Sequence, residues 1–189
     1  MIIVGIDEVG RGSWAGPLVA GAVILGVGIA GLKDSKKLTK AQREALAWEI
    51  NANATAVGLG WVEAYEVDEL GLTAAVGLAM QRALEQITGD YDEITIDGNL
   101  NYFPDDSRAK AVVKADDSVP EVSAASIVAK VARDSYMANV AHKKFPEYAF
   151  DKHVGYGTSL HQQMLKLYGA SELHRKSFRP VRAILGEPS

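Results

Sequence analysis

The sequence predicts an α/β fold with a mixed sheet of about five strands. Three observations carry this. Short apolar runs rich in β-branched residues recur along the chain, stretches of helical periodicity separate most of them, and the first two runs are joined by a glycine turn alone. The first two strands therefore read as an antiparallel pair, and the helix-separated strands as parallel neighbours.

Residues 2–6 form the first apolar run, a buried strand, and Gly10-Arg11-Gly12 is a turn. Residues 18–25 are a second strand, followed by a glycine-rich loop over 26–31. Thr39 is placed to cap a helix over 40–51, with Ala45, Leu46 and Trp48 supplying its apolar stripe. Residues 55–62 read as a third strand. Residues 67–87 read as one long helix, with Leu70, Ala74, Leu78, Ala79, Leu84 and Ile87 on its core side. EITID at 93–97 is a fourth strand and residues 111–114 a fifth. Pro120 opens a helical stretch to about residue 141. Residues 160–168 form a C-terminal helix closed by Gly169.

Composition narrows the chemistry. The 189 residues are enough for one domain with a substantial core. There is no cysteine, which excludes disulfides, thiolate metal sites and cysteine nucleophiles. No apolar run is long enough to span a membrane, and the opening MIIVGIDEVGRG is not a secretory signal, so a cytoplasmic protein is expected. Charge is asymmetric. Residues 1–139 hold 12 Lys and Arg against 20 Asp and Glu, whereas residues 140–189 hold 8 against 4 and all four histidines. An acidic body with a basic C-terminal quarter suits a cation-binding carboxylate site beside an anion-binding surface.

The acids sit where open α/β sheets build sites, at strand exits. Asp7-Glu8 ends the first strand, Asp97-Gly98 ends the fourth, and Asp116-Asp117 follows the fifth. Crowded carboxylates raise one another's pKa unless a cation neutralises them. An all-oxygen set suits Mg²⁺ or Mn²⁺. Two such ions about 4 Å apart support in-line displacement at phosphorus. Asp117 reads as an exposed turn acid. His161 and His174 are too scattered in sequence to suggest a metal site.

These segments resemble ribonuclease HII. The resemblance rests on GIDEVGRG at 5–12 with AGP at 15–17, LKDSKKL at 32–38, IDGN at 96–99 and KAD at 114–116. It continues through SAASIVAKVARD at 123–134, GYGT at 155–158 and HRKSF at 174–178, in order along nearly the whole chain. It implies a single ribonuclease H-like catalytic domain over 1–189, with a C-terminal helical extension from about 140. It implies metal-dependent endonucleolysis of RNA in RNA–DNA hybrids and nicking 5′ of single ribonucleotides in duplex DNA, as in ribonucleotide excision repair. Products would carry 3′-hydroxyl and 5′-phosphate ends. By position the metal-binding and catalytic carboxylates are Asp7, Glu8, Asp97 and Asp116, holding two Mg²⁺ or Mn²⁺ ions in the substrate complex. The related ribonuclease HIII carries an extra N-terminal domain, which fits less well a chain opening on the first catalytic strand.

The resemblance also places Gly10, Arg11 and Gly12 at the 2′-hydroxyl and Tyr156 at the ribonucleotide–DNA junction. Glycines without Cβ let backbone groups approach a sugar, and the 2′-hydroxyl is what separates RNA from DNA. Lys36, Lys37, Arg175 and Lys176 are expected at phosphates, and Ser35 at a phosphate or as the cap of a turn, with Lys143, Lys144, Lys152 and His153 as further candidates. Ala124, Ala125, Ser126 and Ala129 read as close packing of a helix on the sheet. Asp134 reads as a surface or interhelical pairing acid. Trp14 is bulkier than the family's usual residue, and Ala115 stands where bacterial members commonly have glycine. QMLKLY at 163–168 weakly suggests a replication-clamp peptide, but core packing accounts for its pattern, and the tail at 186–189 carries no such motif. A monomer is expected. The competing readings are a hybrid-binding module without turnover and a phosphatase for a small substrate.

Overall fold

The computed structural model describes residues 1–26 and 28–186. Residues 187–189, most of the tail searched for a clamp motif, lie outside them, as does Val27 of the glycine-rich loop. The strands are β1 (Ile3–Val9), β2 (Leu18–Ile24), β3 (Ala56–Val62), β4 (Glu93–Asp97) and β5 (Ala109–Val112). The helices are α1 (Lys40–Asn53), α2 (Ala64–Leu70), α3 (Leu72–Leu84), α4 (Ala115–Ser118), α5 (Pro120–Tyr136), α6 (His142–Lys144), α7 (Phe150–His153), α8 (Ser159–Tyr168) and α9 (Arg179–Leu185). Among the described residues no helix is long and apolar enough to cross a membrane.

The sheet order is β3-β2-β1-β4-β5. β1 runs antiparallel to β2, pairing Val9 with Val19, and parallel to β4, pairing Ile6 with Ile96. β4 runs parallel to β5, pairing Asp97 with Val112. The predicted mixed five-stranded α/β sheet is therefore present. The parallel β4–β5 pair is joined by residues 98–108 without a helix between them.

Two compact units are distinguishable. One comprises Met1–Val9, Val19–Trp61 and Val76–Val131; the other comprises Gly10–Leu18, Val62–Ala75 and Ala132–Ser189. The first holds the sheet apart from Leu18 of β2 and Val62 of β3. Its core joins Val23 to Ile50, Ala124, Ala125, Ile127 and Val128. The small residues of α5 serve the expected close packing. A Cβ on Gly5 would lie 2.2 Å from the Glu121 backbone, and one on Gly21 would lie 2.5 Å from the Ala125 carbonyl oxygen. The second unit has an aromatic core, with Tyr148 and Phe150 packed beside Ala15, Met137 and Leu173.

Several local expectations are corrected. The stretch 67–87 is not one helix: Gly71, at φ 78°, ends α2 and separates it from α3. The buried face of α3 is Ala75, Val76, Ala79, Met80 and Ala83, while Leu70 is exposed. In α1, capped by Thr39 as expected, Ala47 and Ile50 face inward and Trp48 is 75% exposed. Strand β5 lies two residues earlier than predicted, because the chain turns at Lys114, which adopts left-handed φ 59°. Core packing explains Leu165 of the 163–168 segment but not Leu167 and Tyr168, which are exposed.

Gly21→Val is expected to lower unfolding stability by about 2 kcal/mol, because the added side chain must displace the α5 backbone. A urea titration checks this, and an unchanged midpoint would show that α5 has room to move.

Candidate active site

Parallel pairing creates the site. With Ile6 beside Ile96, the next residues along β1 and β4 are Asp7 and Asp97, brought side by side at the exit of the sheet. Asp116 reaches the same place by another route. From β5 the chain turns through Lys114 into the short helix α4, which carries Asp116 in its first turn. A lysine in left-handed backbone is uncommon, and such positions persist where surrounding structure over-determines them. The Asp97 carboxylate accepts the Ala115 amide at 2.8 Å, and the Ser123 hydroxyl donates to the Asp116 carbonyl at 2.5 Å. These bonds hold α4 against the strand ends.

Carboxylate oxygens of Asp7, Asp97 and Asp116 all lie within 4.8 Å of one another. Glu8 lies outside that group, since adjacent residues on a strand point to opposite faces. Three of the four expected carboxylates are thus brought together. Burial, then the charges of Glu8 and Asp97, push Asp7 up to about 8, against a hydrogen bond from Ser126. Burial, then Asp97 and Asp34, raise Asp116, opposed by Lys36. Burial alone would lower Lys36, but Asp34, Asp7, Asp116 and Asp97 together raise it. The donor set fits a hard divalent cation. It is all oxygen, largely dehydrated, and repulsive until a positive charge enters.

Ser35 departs from its expected phosphate role. It is buried, and its hydroxyl meets that of Ser126 at 2.9 Å. It therefore backs the serine that bonds Asp7. The Lys37 ammonium is held by the Asp117 carboxylate at 2.5 Å; Asp117 is exposed as expected, but it lies in α4 and not in a turn.

In the second unit, Gly10 adopts φ 91° and its missing Cβ makes room for the Arg133 side chain, while Gly12 is in open space and Arg11 is exposed. Arg175 is the clearest correction. It is 0% exposed and cannot face a phosphate. Its guanidinium donates to the carbonyls of Gly10 at 2.6 Å, Arg11 at 3.1 Å and Gly16 at 2.9 Å. Arg133, equally buried, donates to Pro17 at 2.8 Å, Ala15 at 3.1 Å and Val154 at 2.9 Å. Burial, then Arg133, lower Arg175 to about 9, so it stays a cation at neutral pH. Both arginines were missed as supports of the glycine loop, because a charged residue in sequence reads as surface.

Lys176 is exposed, and its backbone amide donates to Asp68. Lys144 pairs with Glu172 and Lys152 with Asp151, so part of the basic quarter is neutralised internally. Asp134 lies 4.0 Å from Arg133. The Trp14 ring covers Gly157 and sits 5.6 Å from the His161 ring. His153, His161 and His174, scattered in sequence, converge: the first two stack at 4.4 Å, and His161 and His174 meet through their Nε2 atoms at 3.0 Å.

The family model for ribonuclease HII matches residues 4–181. The chain belongs to the ribonuclease HII family. It is a ribonuclease H enzyme, of a family that depends on divalent metal and acts on RNA–DNA hybrids. It is 47% identical over 188 residues to the ribonuclease HII of Janthinobacterium sp. (strain Marseille), covering 98% of this chain and 88% of that one. It is similar to the ribonuclease H2 of Pyrococcus horikoshii OT3, with a TM-score of 0.81, 27% identity and 97% of each chain covered. It is also similar to the ribonuclease HII solved in complex with PCNA from Archaeoglobus fulgidus, with a TM-score of 0.74, 26% identity and 95% and 96% coverage.

The raised Asp7 pKa has a consequence for stability. Without divalent metal, burial and neighbouring acids push Asp7 of the folded chain up to about 8, whereas its ordinary value is near 3.8. A raised folded pKa stabilises fully below the unfolded value and loses that stability as pH rises through the folded one. Metal-free stability should therefore fall between pH 4 and 8, by up to about 1.4 kcal/mol per pH unit. Urea titrations in EDTA at several pH values measure the slope. Asp7→Asn should flatten it, and saturating Mg²⁺ or Mn²⁺ should remove it. A parent protein equally stable across that range would contradict the buried, proton-holding Asp7.

Proposed function

We propose that this enzyme nicks duplex DNA 5′ of a single embedded ribonucleotide, as well as cutting RNA in hybrids, with Asp7, Glu8, Asp97 and Asp116 as its metal-binding residues. The supporting observation is the group of three carboxylates within 4.8 Å at the ends of β1 and β4 and the start of α4. Glu8, next in sequence to Asp7 and electrostatically felt there, completes the set when substrate and metal are present. Two Mg²⁺ or Mn²⁺ ions held by these residues would supply an activated attacking water and neutralise the leaving oxygen.

The chain's own groups do the positioning. The Ser126 hydroxyl, backed by Ser35, orients the Asp7 carboxylate. The Ala115 amide fixes one oxygen of Asp97. Water adds to phosphorus and the P–O3′ bond breaks, leaving a 5′-phosphate on one side and a 3′-hydroxyl on the other once the departing oxygen has taken a proton. The backbone of Gly10, Arg11 and Gly12 reads the 2′-hydroxyl, held in shape by Arg133 and Arg175. Tyr156 stacks at the junction between ribonucleotide and DNA. Exposed Lys36 and Lys176 contact phosphates without reading sequence, and Lys37 joins them by exchanging Asp117 for a phosphate. Both units act as one catalytic domain, monomeric and cytoplasmic, in ribonucleotide excision repair.

A labelled duplex with one ribonucleotide, incubated with Mg²⁺ or Mn²⁺, tests the reading. A single nick 5′ of the ribonucleotide is expected, with an all-DNA duplex left intact. Asp97→Asn should slow it about 100-fold or more while leaving the fold unchanged. Equal cutting of the all-DNA duplex would sink the proposal, and full activity in the variant would remove Asp97 from the metal site.

A further inference from the structure

The three converging histidines form an ordered device. The carbonyl oxygen of Tyr156 can only accept, so the His161 Nδ1 that meets it at 3.0 Å carries the hydrogen. His161 Nε2 is then an acceptor, and the hydrogen in its 3.0 Å bond with His174 comes from His174 Nε2. His174 Nδ1 must accept, and it does, from the Ser171 amide at 3.0 Å and hydroxyl at 2.9 Å. One arrangement of hydrogens satisfies every bond, and both rings are neutral in it. Burial, the main cause in each case, lowers His161 to about 4 and His174 to about 3, in keeping with that neutrality.

The device ends on a strained, tightly pinned loop. Val154 adopts left-handed φ 45°, a rare conformation for a β-branched residue, and Gly155 follows at φ 87°. A Cβ on Gly155 would lie 2.2 Å from the Ala15 carbonyl oxygen. The Gly155 amide donates to His153 Nδ1 at 3.2 Å, and His153 stacks on His161. The Tyr156 ring sits over the Arg133 guanidinium at 5.4 Å. Strain of this kind persists where bonds over-determine the backbone, as they do here.

We propose that His161 and His174 are positioning residues, relaying hydrogen bonds from Ser171 to the Tyr156 carbonyl and thereby fixing the loop that presents Tyr156 to the duplex. The inference deepens the reading of Tyr156 as a junction contact and rests on it for its effect on cleavage. Neutral relay groups suit this place: they order the backbone without adding a charge that would shift with bound phosphate.

The test combines nitrogen-15 NMR of the histidine rings, amide exchange and a double-mutant cycle on the full chain. At neutral pH the rings should show hydrogen on Nδ1 of His161 and on Nε2 of His174; hydrogen on Nε2 of His161 would overturn the relay. His161→Phe, which keeps a flat ring, should speed exchange of the Tyr156 amide about tenfold and lower kcat/KM on the one-ribonucleotide duplex by a similar factor. His161→Asn keeps a donor at the Nδ1 place and should restore most of both. Combined with Tyr156→Ala, His161→Phe should cost nothing further. An equal loss in both backgrounds, or unchanged amide exchange, overturns the proposal. If Tyr156→Ala alone cleaves like the parent, the junction reading fails, and ring hydrogens and exchange still decide whether the relay fixes the loop.

Discussion

The register in which β1 runs beside β4 sets Asp7 against Asp97, and the first unit is organised around tolerating that contact. Two carboxylates at the end of adjacent parallel strands repel, and Asp116 adds a third. The protein answers with fixed hydrogen-bond donors: Ser126 on Asp7 and the Ala115 amide on Asp97. Lys36 contributes positive charge at a distance. None of these cancels the repulsion, since burial and neighbouring acid still raise both Asp7 and Asp116. A site left unneutralised by its own protein suits a cation from outside.

Packing serves the same end. Parallel strands give their carboxyl ends to one edge, but only if the sheet is held rigidly from behind. Glycines at positions 5 and 21 let α5 approach until side-chain carbons would collide with its backbone. The same helix carries Ser126, so close packing of α5 sets how near that hydroxyl comes to Asp7. The alanines and serines of α5 are thus both packing and placement, and a larger residue at either glycine disturbs both.

What was legible in the sequence follows from which signals are local. An apolar run ending in an acid before a glycine marks β1 and β4 and locates Asp7 and Asp97 with no tertiary information. Asp116 was legible as an acid following a strand, but the Lys114 turn that aims it was not, because nothing in a lysine announces left-handed backbone. Glu8 reads as an equal partner of Asp7 in sequence, and only strand alternation separates the two. The break at Gly71 was hidden because the apolar spacing on either side continues a single helical pattern. Arg175 and His153 were misread for one reason. Charged and titratable groups are assigned to the surface by default, and here backbone carbonyls and partner rings from distant segments satisfy them inside.

The second unit solves a different physical problem with different means. A glycine turn leaves its backbone bare of side chains, and glycine supplies that at the expense of conformational restriction. Arg133 and Arg175 restore the rigidity. Together they gather the carbonyls of Gly10, Arg11, Ala15, Gly16 and Pro17 onto two buried guanidiniums, so the loop's acceptors are committed inward. A planar guanidinium with five donors can hold several carbonyls at once, which an ammonium cannot match in geometry. Neither cation has a carboxylate in hydrogen-bond contact among the bonds described; Arg133 lies 4.0 Å from Asp134. Among the described bonds it is carbonyl dipoles that meet their charge. The Gly-Arg-Gly turn is flexible in sequence and stiff in the protein, and the stiffness comes from residues more than 100 positions away.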